Sequence, residues 1–268
     1  MNSDDITTQQ IPSLETAREE IDRIDDGILD LLMQRVNVTA LVKNAKQNHP
    51  QIWPLPLRPT REATIFRRLL VRAKGSGVAP ELILRLWRSI LSDSSLRQAA
   101  ITLHVSRHLN SSIAHRLRLR DYFGPMAVEE YRDEAQALLQ IGSNPSDLCV
   151  VETEQPWVEG FLAGNCGKAQ VIACLPMLAE DPIPKMLVFG QAPVEASGDD
   201  ETLVISEGKL PRDFTPQPLW QVKIGRHRLS SLPGFLREQE SPLIGVIRSN
   251  ASLGLKVAGR YSSAFEVM

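Results

Sequence analysis

The chain is poor in cysteine and in long apolar runs. Its 268 residues include three cysteines, none in a C-x-x-C pair, so the sequence predicts neither a disulfide framework nor a zinc site. Thirty basic residues stand against thirty-two acidic ones, without the basic surplus that suits binding to nucleic acid or anionic membranes. No apolar run approaches the roughly 18 residues of a membrane span. The polar start MNSDDITTQQ is unlike a signal peptide. We therefore expect a cytoplasmic protein that binds neither nucleic acid nor membrane.

The histidines also lack a pattern typical of metal binding. All five are scattered, with no H-E-x-x-H motif or paired carboxylates around them, so we expect no metal site. The hydrophobic content of 43% is that of a globular protein with a real core.

The first hundred residues have the pattern of helices throughout. Ser13 is a candidate N-cap, and apolar residues then recur at helical spacing to about Asn48 without an internal proline. The proline-rich stretch at 49–59 breaks this helix. A second helix is predicted over 60–73, and a third begins near Pro80.

After residue 101 short apolar runs alternate with helical stretches, which predicts an α/β domain with mixed strand directions. The runs ITLHV, DLCVV, QVIACL, KMLVFG, ETLVI, WQVKI and PLIGVI are the predicted strands, and the stretches at 111–124 and 126–141 the predicted helices. We therefore divide the chain into an all-helical domain, 1–102, and an α/β domain, 103–268.

One stripe of the first helix carries two cations. Arg35, Thr39, Val42 and Lys46 follow one another at i, i+4, i+7 and i+11. Arg35 and Lys46 therefore lie about 20° apart around the axis and ~16 Å apart along it. Arg18, seventeen residues before Arg35, is ~25 Å away and out of phase. Two such arginines grip one small ligand only if a second copy of the helix runs antiparallel, which predicts a symmetric dimer.

These residues resemble those of the all-helical chorismate mutases. The resemblance is carried by Arg18, IDRID, Arg35, Lys46, RPTRE at 58–62 and DSSLRQ at 93–98. It covers about residues 13–102 and implies an intertwined homodimer of three-helix protomers whose substrate is chorismate. Arg58 stands where that family sometimes has an acidic residue, so the role of this position is open.

The resemblance also implies a role for each site residue. Arg35 and Ser94 would bind one substrate carboxylate, and Arg18 of the other chain the second. Lys46 and Gln98 would hold the ether oxygen whose bond breaks. Glu62 would bind the ring hydroxyl, and Arg61 would support the site.

The chemistry that this family performs suits such a set. Rearrangement of chorismate to prephenate is unimolecular and needs no nucleophile, metal or cofactor. A site accelerates it by selecting a compact conformer and stabilising developing charge. Arginines suit a dianion, and a lysine with a neutral amide suits the ether oxygen as it becomes negative. Each residue alone has an ordinary structural interpretation, a solvated helix face or a surface ion pair, and only their joint spacing favours a pocket.

The second half is similar to a prephenate dehydratase domain, in the order of its elements from about 102 to 206. The signature Thr-Arg-Asp-x-Thr-Arg-Phe of that family falls on DPIPKMLVFGQAP, 181–193, which has neither threonine nor arginine. We weigh three roles for this half, in this order: a scaffold, a module that senses an aromatic amino acid or prephenate, and a dehydratase with substituted residues. A bifunctional mutase and dehydratase, and a non-catalytic dimeric regulatory protein, are therefore the alternatives to a chorismate mutase alone.

Overall fold

The computed structural model describes residues 13–47, 55–240, 242–249 and 251–266. The chain divides into two compact units, residues 1–52 and residues 53–268. We describe each unit by itself.

The first unit is built on one helix, α1 (Leu14–Gln47), of 34 residues. Ser13 caps it as predicted, because its Oγ accepts a hydrogen bond from the backbone N of Thr16 at 3.1 Å. Most of the described apolar residues of α1 are exposed in the single chain. Ile21, Ile28 and Leu41, for example, are 56%, 52% and 66% exposed. Much of the apolar surface of α1 is thus accessible to solvent in the single chain.

The second unit holds the other described helices and all the described strands. Its helices are α2 (Pro59–Ala73), α3 (Pro80–Leu96), α4 (Arg107–Ser111), α5 (Ile113–Phe123), α6 (Glu134–Ser143), α7 (Val158–Leu162) and α8 (Leu243–Ser249). Its strands are β1 (Thr102–Ser106), β2 (Ala127–Tyr131), β3 (Leu148–Glu152), β4 (Gln170–Leu175), β5 (Met186–Gly190), β6 (Asp200–Ser206), β7 (Trp220–Ile224), β8 (His227–Pro233) and β9 (Lys256–Ser262). Helical segments thus precede an α/β fold, as the sequence predicts.

The nine strands form one mixed sheet in the order β2-β1-β3-β5-β4-β9-β6-β8-β7. Strands β2, β1 and β3 pair in parallel, and β9 pairs in parallel with β4. The remaining pairs are antiparallel. The prediction of mixed strand directions is confirmed.

Hydrophobic clusters cover both faces of the sheet. Along β3, Cys149 and Val151 belong to one cluster and Leu148 and Val150 to the other. Side chains alternate between the faces of a strand, so a strand buried on both sides reads as a continuous apolar run. This is why the sequence pattern located the central strands well.

Helices α2 and α3 lie in the same compact unit as the sheet. Phe66 of α2 is fully buried, and its ring centroid lies 5.9 Å from that of Phe265, which follows β9. Arg67 donates hydrogen bonds to the Ser197 carbonyl at 3.0 Å and to Ser262 Oγ at 2.5 Å. These contacts tie α2 to the C-terminal part of the chain. The domain boundary at 102/103 stays a prediction.

Two assignments of secondary structure were wrong. The start of the helix predicted over 126–141 is strand β2, which joins the sheet through its parallel pairing with β1. The PLIGVI run is helix α8, not a strand. Its Leu243, Val246 and Ile247 pack on one cluster, a spacing of i, i+3 and i+4. A short apolar run fits either structure until its packing partner is known.

Candidate active site

Three of the predicted site residues lie on α1. Arg18 is exposed and Arg35 is half-buried. Thr39, one turn after Arg35, donates its hydroxyl to the Arg35 carbonyl at 2.9 Å. Lys46 lies within the helix, and its side chain falls outside the described residues. Because the helix is continuous from Leu14 to Gln47, Arg18 and Arg35 are ~25 Å apart and cannot hold the same small ligand from one chain.

The other four predicted residues lie on or beside α2 and α3. Ser94 and Gln98 are half-buried and lie one turn apart. The Gln98 amide donates to the Ser94 carbonyl at 2.8 Å, and the Ser94 hydroxyl donates to the Ile90 carbonyl at 2.8 Å. The structure therefore brings these two polar side chains to one side of α3, as their spacing predicts.

Arg61 and Glu62 are adjacent in sequence but differ in environment. Arg61 is exposed, whereas Glu62 is buried, since successive helical residues point about 100° apart. Arg88 of α3 donates from Nη1 to Glu62 Oε2 and from Nε to the Tyr122 carbonyl, the latter at 2.9 Å. The Arg88 guanidinium also lies 3.8 Å from the centroid of the Tyr122 ring. One oxygen of Glu62 is thus already engaged by a buried cation in the single chain.

Sequence reasoning missed Arg88, although a signal was present. Arg88 falls on the stripe of α3 that contains Leu84 and Leu91, so a charged residue occupies a core position of an amphipathic helix. Burial disfavours the charged guanidinium, but the Glu62 carboxylate outweighs it and raises the pKa of Arg88 above its ordinary value. The Arg88 guanidinium is therefore charged in the interior.

Arg88 and Ser92 together satisfy the C-terminal end of α5. Arg88 donates to the carbonyl of Tyr122, and Ser92 donates to that of Phe123. Helix-end carbonyls lack partners within their own helix, and a cation near them also favours the helix dipole. Gly124 then ends α5 with a positive φ of 67°. Helix α3 is thereby fixed to α5.

The tertiary fold brings together histidines that are scattered in sequence. His115 Nδ1 lies 3.3 Å from Glu152 Oε1, and His108 Nε2 lies 3.6 Å from the same oxygen. Among the described residues, no group of three His, Cys, Asp or Glu side chains is arranged to hold a metal ion. Of the helices that the structure describes, none is long and apolar enough to cross a membrane.

The stretch 181–193 contains a central strand. Its residues Met186 to Gly190 form β5, fully buried between β3 and β4. Lys185, just before β5, forms an ion pair with Asp181. This region thus contributes a buried strand and a surface ion pair.

A known protein family matches the helical part of the chain. Residues 17–99 match the family model of chorismate mutase type II. The match covers less than a third of the chain and includes all seven predicted site residues. No curated protein matches the chain.

Two solved structures are similar to the larger part of the chain. A prephenate dehydratase from Streptococcus mutans is 12% identical, with a TM-score of 0.35, and the match covers 62% of this chain and 99% of that one. GqqA, described as a novel type of quorum-quenching acylase, is 8% identical, with a TM-score of 0.39, over 61% of this chain and 95% of that one. At these TM-scores neither likeness supports a conclusion about function.

Proposed function

We propose that this protein is a chorismate mutase, an isomerase that converts chorismate to prephenate in the branch leading to phenylalanine and tyrosine. The observation that carries the proposal is the family match at 17–99, within which all seven of the predicted side chains are present. These side chains are three arginines, a lysine, a glutamate, a serine and a glutamine, and together they provide what the rearrangement needs. No covalent step or cofactor is required of them.

Each residue has a role in the proposed site. Arg35 and Ser94 bind one carboxylate of chorismate, and Arg61 supports the site. Lys46 and Gln98 donate to the ether oxygen, where negative charge grows as the bond breaks, so they bind the transition state more tightly than the substrate. For Gln98 this requires its amide to turn from the Ser94 carbonyl to the substrate. Glu62 accepts from the ring hydroxyl with the oxygen that Arg88 does not engage.

The same proposal includes a homodimer in which Arg18 completes the site of the partner subunit. Two observations support it. Arg18 is too far from Arg35 along α1 to serve the same ligand within one chain. Most of the described apolar residues of α1 are exposed in the single chain, and pairing of two such helices would remove them from water.

Consumption of chorismate tests the activity directly. We expect purified protein to remove the ultraviolet absorbance of chorismate and to produce prephenate. Lys46→Ala and Gln98→Ala should each lower kcat/KM by about a hundredfold or more, since each removes a donor to the developing oxyanion. Lys43→Ala is the matched control, a lysine of the same helix outside the proposed site, and should leave the rate unchanged. Equal rates for Lys46→Ala and Lys43→Ala would remove Lys46 from the site.

The products distinguish the alternatives. Phenylpyruvate formed without acid treatment would establish the bifunctional mutase and dehydratase instead. Absence of any chorismate consumption by the folded dimer would leave the non-catalytic regulatory protein.

A mixing experiment tests the shared site. Arg18→Ala and Arg35→Ala should each be inactive alone. In a heterodimer of the two, one site has both substitutions and the other has neither. Random reassociation of equal amounts should therefore restore about a quarter of the wild-type rate. No recovery in mixtures shown to contain heterodimers would refute the contribution of Arg18 to the partner.

A further inference from the structure

A carboxylate on β6 is held by three neutral donors. Glu201 Oε2 accepts hydrogen bonds from Trp220 Nε1 at 3.2 Å, from the Tyr261 hydroxyl at 2.9 Å and from the Ser231 hydroxyl. All three donors are buried, and they lie on β7, β9 and β8 respectively. Burial, and then the negative charge of Glu201, raise the pKa of Tyr261 well above its ordinary value, so this phenol remains a donor at neutral pH. The fold thus fixes one oxygen of Glu201 in place.

Glu201 has no cationic partner among the residues that the structure describes. No Lys, Arg or His nitrogen lies within ion-pair distance of it in the described part of the chain. Its other oxygen, Oε1, accepts no hydrogen bond there and is not among the buried atoms that lack a partner. Neighbouring acids differ in this respect, because Glu180 pairs with Arg118 at 2.7 Å and Asp199 with Arg67 at 3.5 Å. Among the described residues the carboxylate of Glu201 thus lacks a charge partner and is available to a group from outside the chain.

Glu201 lines a cleft of about 970 Å³ within the second unit. The end of α2, the turn after it and the start of α3 line the cleft with mostly apolar residues and with the cations Arg67 and Lys74. The large apolar residues of the lining are Leu70, Val71, Val78 and Ile83 from this segment, and Leu219 and Phe265 from the rest of the unit. Val71 and Leu219 are 66% and 54% exposed, so apolar surface is available to a ligand. The volume is that of a site for a small organic molecule.

We propose that this cleft binds a small organic cation, an ammonium group carried on an apolar body, with Glu201 as its charge partner. The fixed carboxylate loses little conformational entropy on binding, and Glu201 is half-buried, so a charge-assisted hydrogen bond to it is among the stronger polar contacts. The lining has five acidic residues, Glu180, Asp181, Asp199, Glu201 and Glu266, against the two basic residues Arg67 and Lys74, and this acidic excess disfavours an anion in the same place. A bare metal ion fits less well, since Ca²⁺ or Mg²⁺ needs several oxygen ligands and no such group is present among the described residues. The cleft does not contain the residues of the proposed mutase site.

Binding of 2-phenylethylammonium to the full chain tests the proposal. We expect saturable binding by isothermal titration calorimetry, and none of 3-phenylpropionate, which has a similar body and the opposite charge. Glu201→Gln keeps an oxygen that accepts from the three donors and removes the charge, so it should weaken binding about ten- to hundredfold. Glu180→Gln, on the same lining but already paired with Arg118, is the matched control and should change the affinity less than about twofold.

A second variant tests the same proposal if Glu201→Gln does not fold. Leu219→Arg places a cation at an exposed position of the lining and should also weaken binding of the ammonium. Three results would overturn the proposal: no binding of 2-phenylethylammonium, equal binding of 3-phenylpropionate, or an affinity unchanged in both folded variants.

Discussion

The Glu62–Arg88 pair provides a sharp test of how the helical segment is held. Arg88→Met keeps an unbranched apolar side chain of similar length and removes the guanidinium. Glu62 is then left in the interior without its cation, and the Tyr122 carbonyl loses its donor. The side chains of Arg88 and Glu62 are only 3% and 8% exposed, so water cannot readily replace either partner.

The size of the effect follows from these losses. Removing one partner of a buried ion pair costs about 3–5 kcal/mol, because the remaining charge is uncompensated. Replacing both partners by apolar groups avoids that penalty and is often nearly neutral. The double variant still loses the hydrogen bond to Tyr122, roughly 1 kcal/mol. We therefore expect Glu62→Met/Arg88→Met to be more stable than Arg88→Met by about 2 kcal/mol or more.

Urea unfolding followed by tryptophan fluorescence measures these differences in the full chain, which has four tryptophans. Arg85→Met is the control, an exposed arginine one turn earlier on α3, and should cost less than about 0.5 kcal/mol. A loss below about 1 kcal/mol for Arg88→Met, or a double variant no more stable than Arg88→Met, would refute the reasoning.

Three further predictions concern the fold. Gly259→Ala should severely destabilise the pairing of β4 with β9, because the new Cβ would lie 2.1 Å from the Val171 carbonyl oxygen; thermal unfolding measures the loss. Gly27→Ala is the contrasting substitution, because a Cβ at Gly27 in α1 would have nothing within 4 Å. It should stabilise the helix by about 1 kcal/mol, which helical circular dichroism measures. Asp133 caps α6 through its bond to Gln136 N at 3.0 Å, and that bond lowers its pKa. Asp133→Ala should therefore cost about 1 kcal/mol at neutral pH, and the charge-dependent part should disappear as the pH falls through the lowered pKa; an undiminished difference at pH 2 would contradict this. Burial raises the pKa of all three thiols, so a thiol reagent should label the native chain far more slowly than the unfolded chain; rapid native labelling would contradict the buried positions of Cys149, Cys166 and Cys174.

The elements that sequence reasoning located correctly are those with local signals. Ser13 and the uninterrupted apolar period defined α1, and the prolines at 59 and 80 marked the starts of α2 and α3. Buried strands such as β3 and β5 stood out as continuous apolar runs. Strand β8 and strand β9 were missed, since HRLSSLP and KVAGRYS mix polar and apolar residues and become strands through pairing with β6.

The candidate site likewise contains residues that spacing within one helix relates and residues that only the packing of several helices brings together. Spacing within one helix was enough to relate Arg35 to Lys46 and Ser94 to Gln98, because a helix fixes the angle and distance between its own residues. The partner of Glu62 was beyond such reasoning. Arg88 lies on another helix, twenty-six positions away, and its selection depends on how α2, α3 and α5 pack.

The sequence by itself therefore determined a helical segment with the spacing of a chorismate mutase and an α/β region after it. Only the tertiary structure decided that α2 and α3 share a compact unit with the sheet, that Glu62 is buried against Arg88, and that Glu201 lines a cleft and has no cationic partner among the described residues. The physical reason is the separation along the chain of the residues that interact. Caps, breaks and periodicity act between residues a few positions apart, whereas burial and charge compensation are set by contacts between elements that lie far apart along the chain.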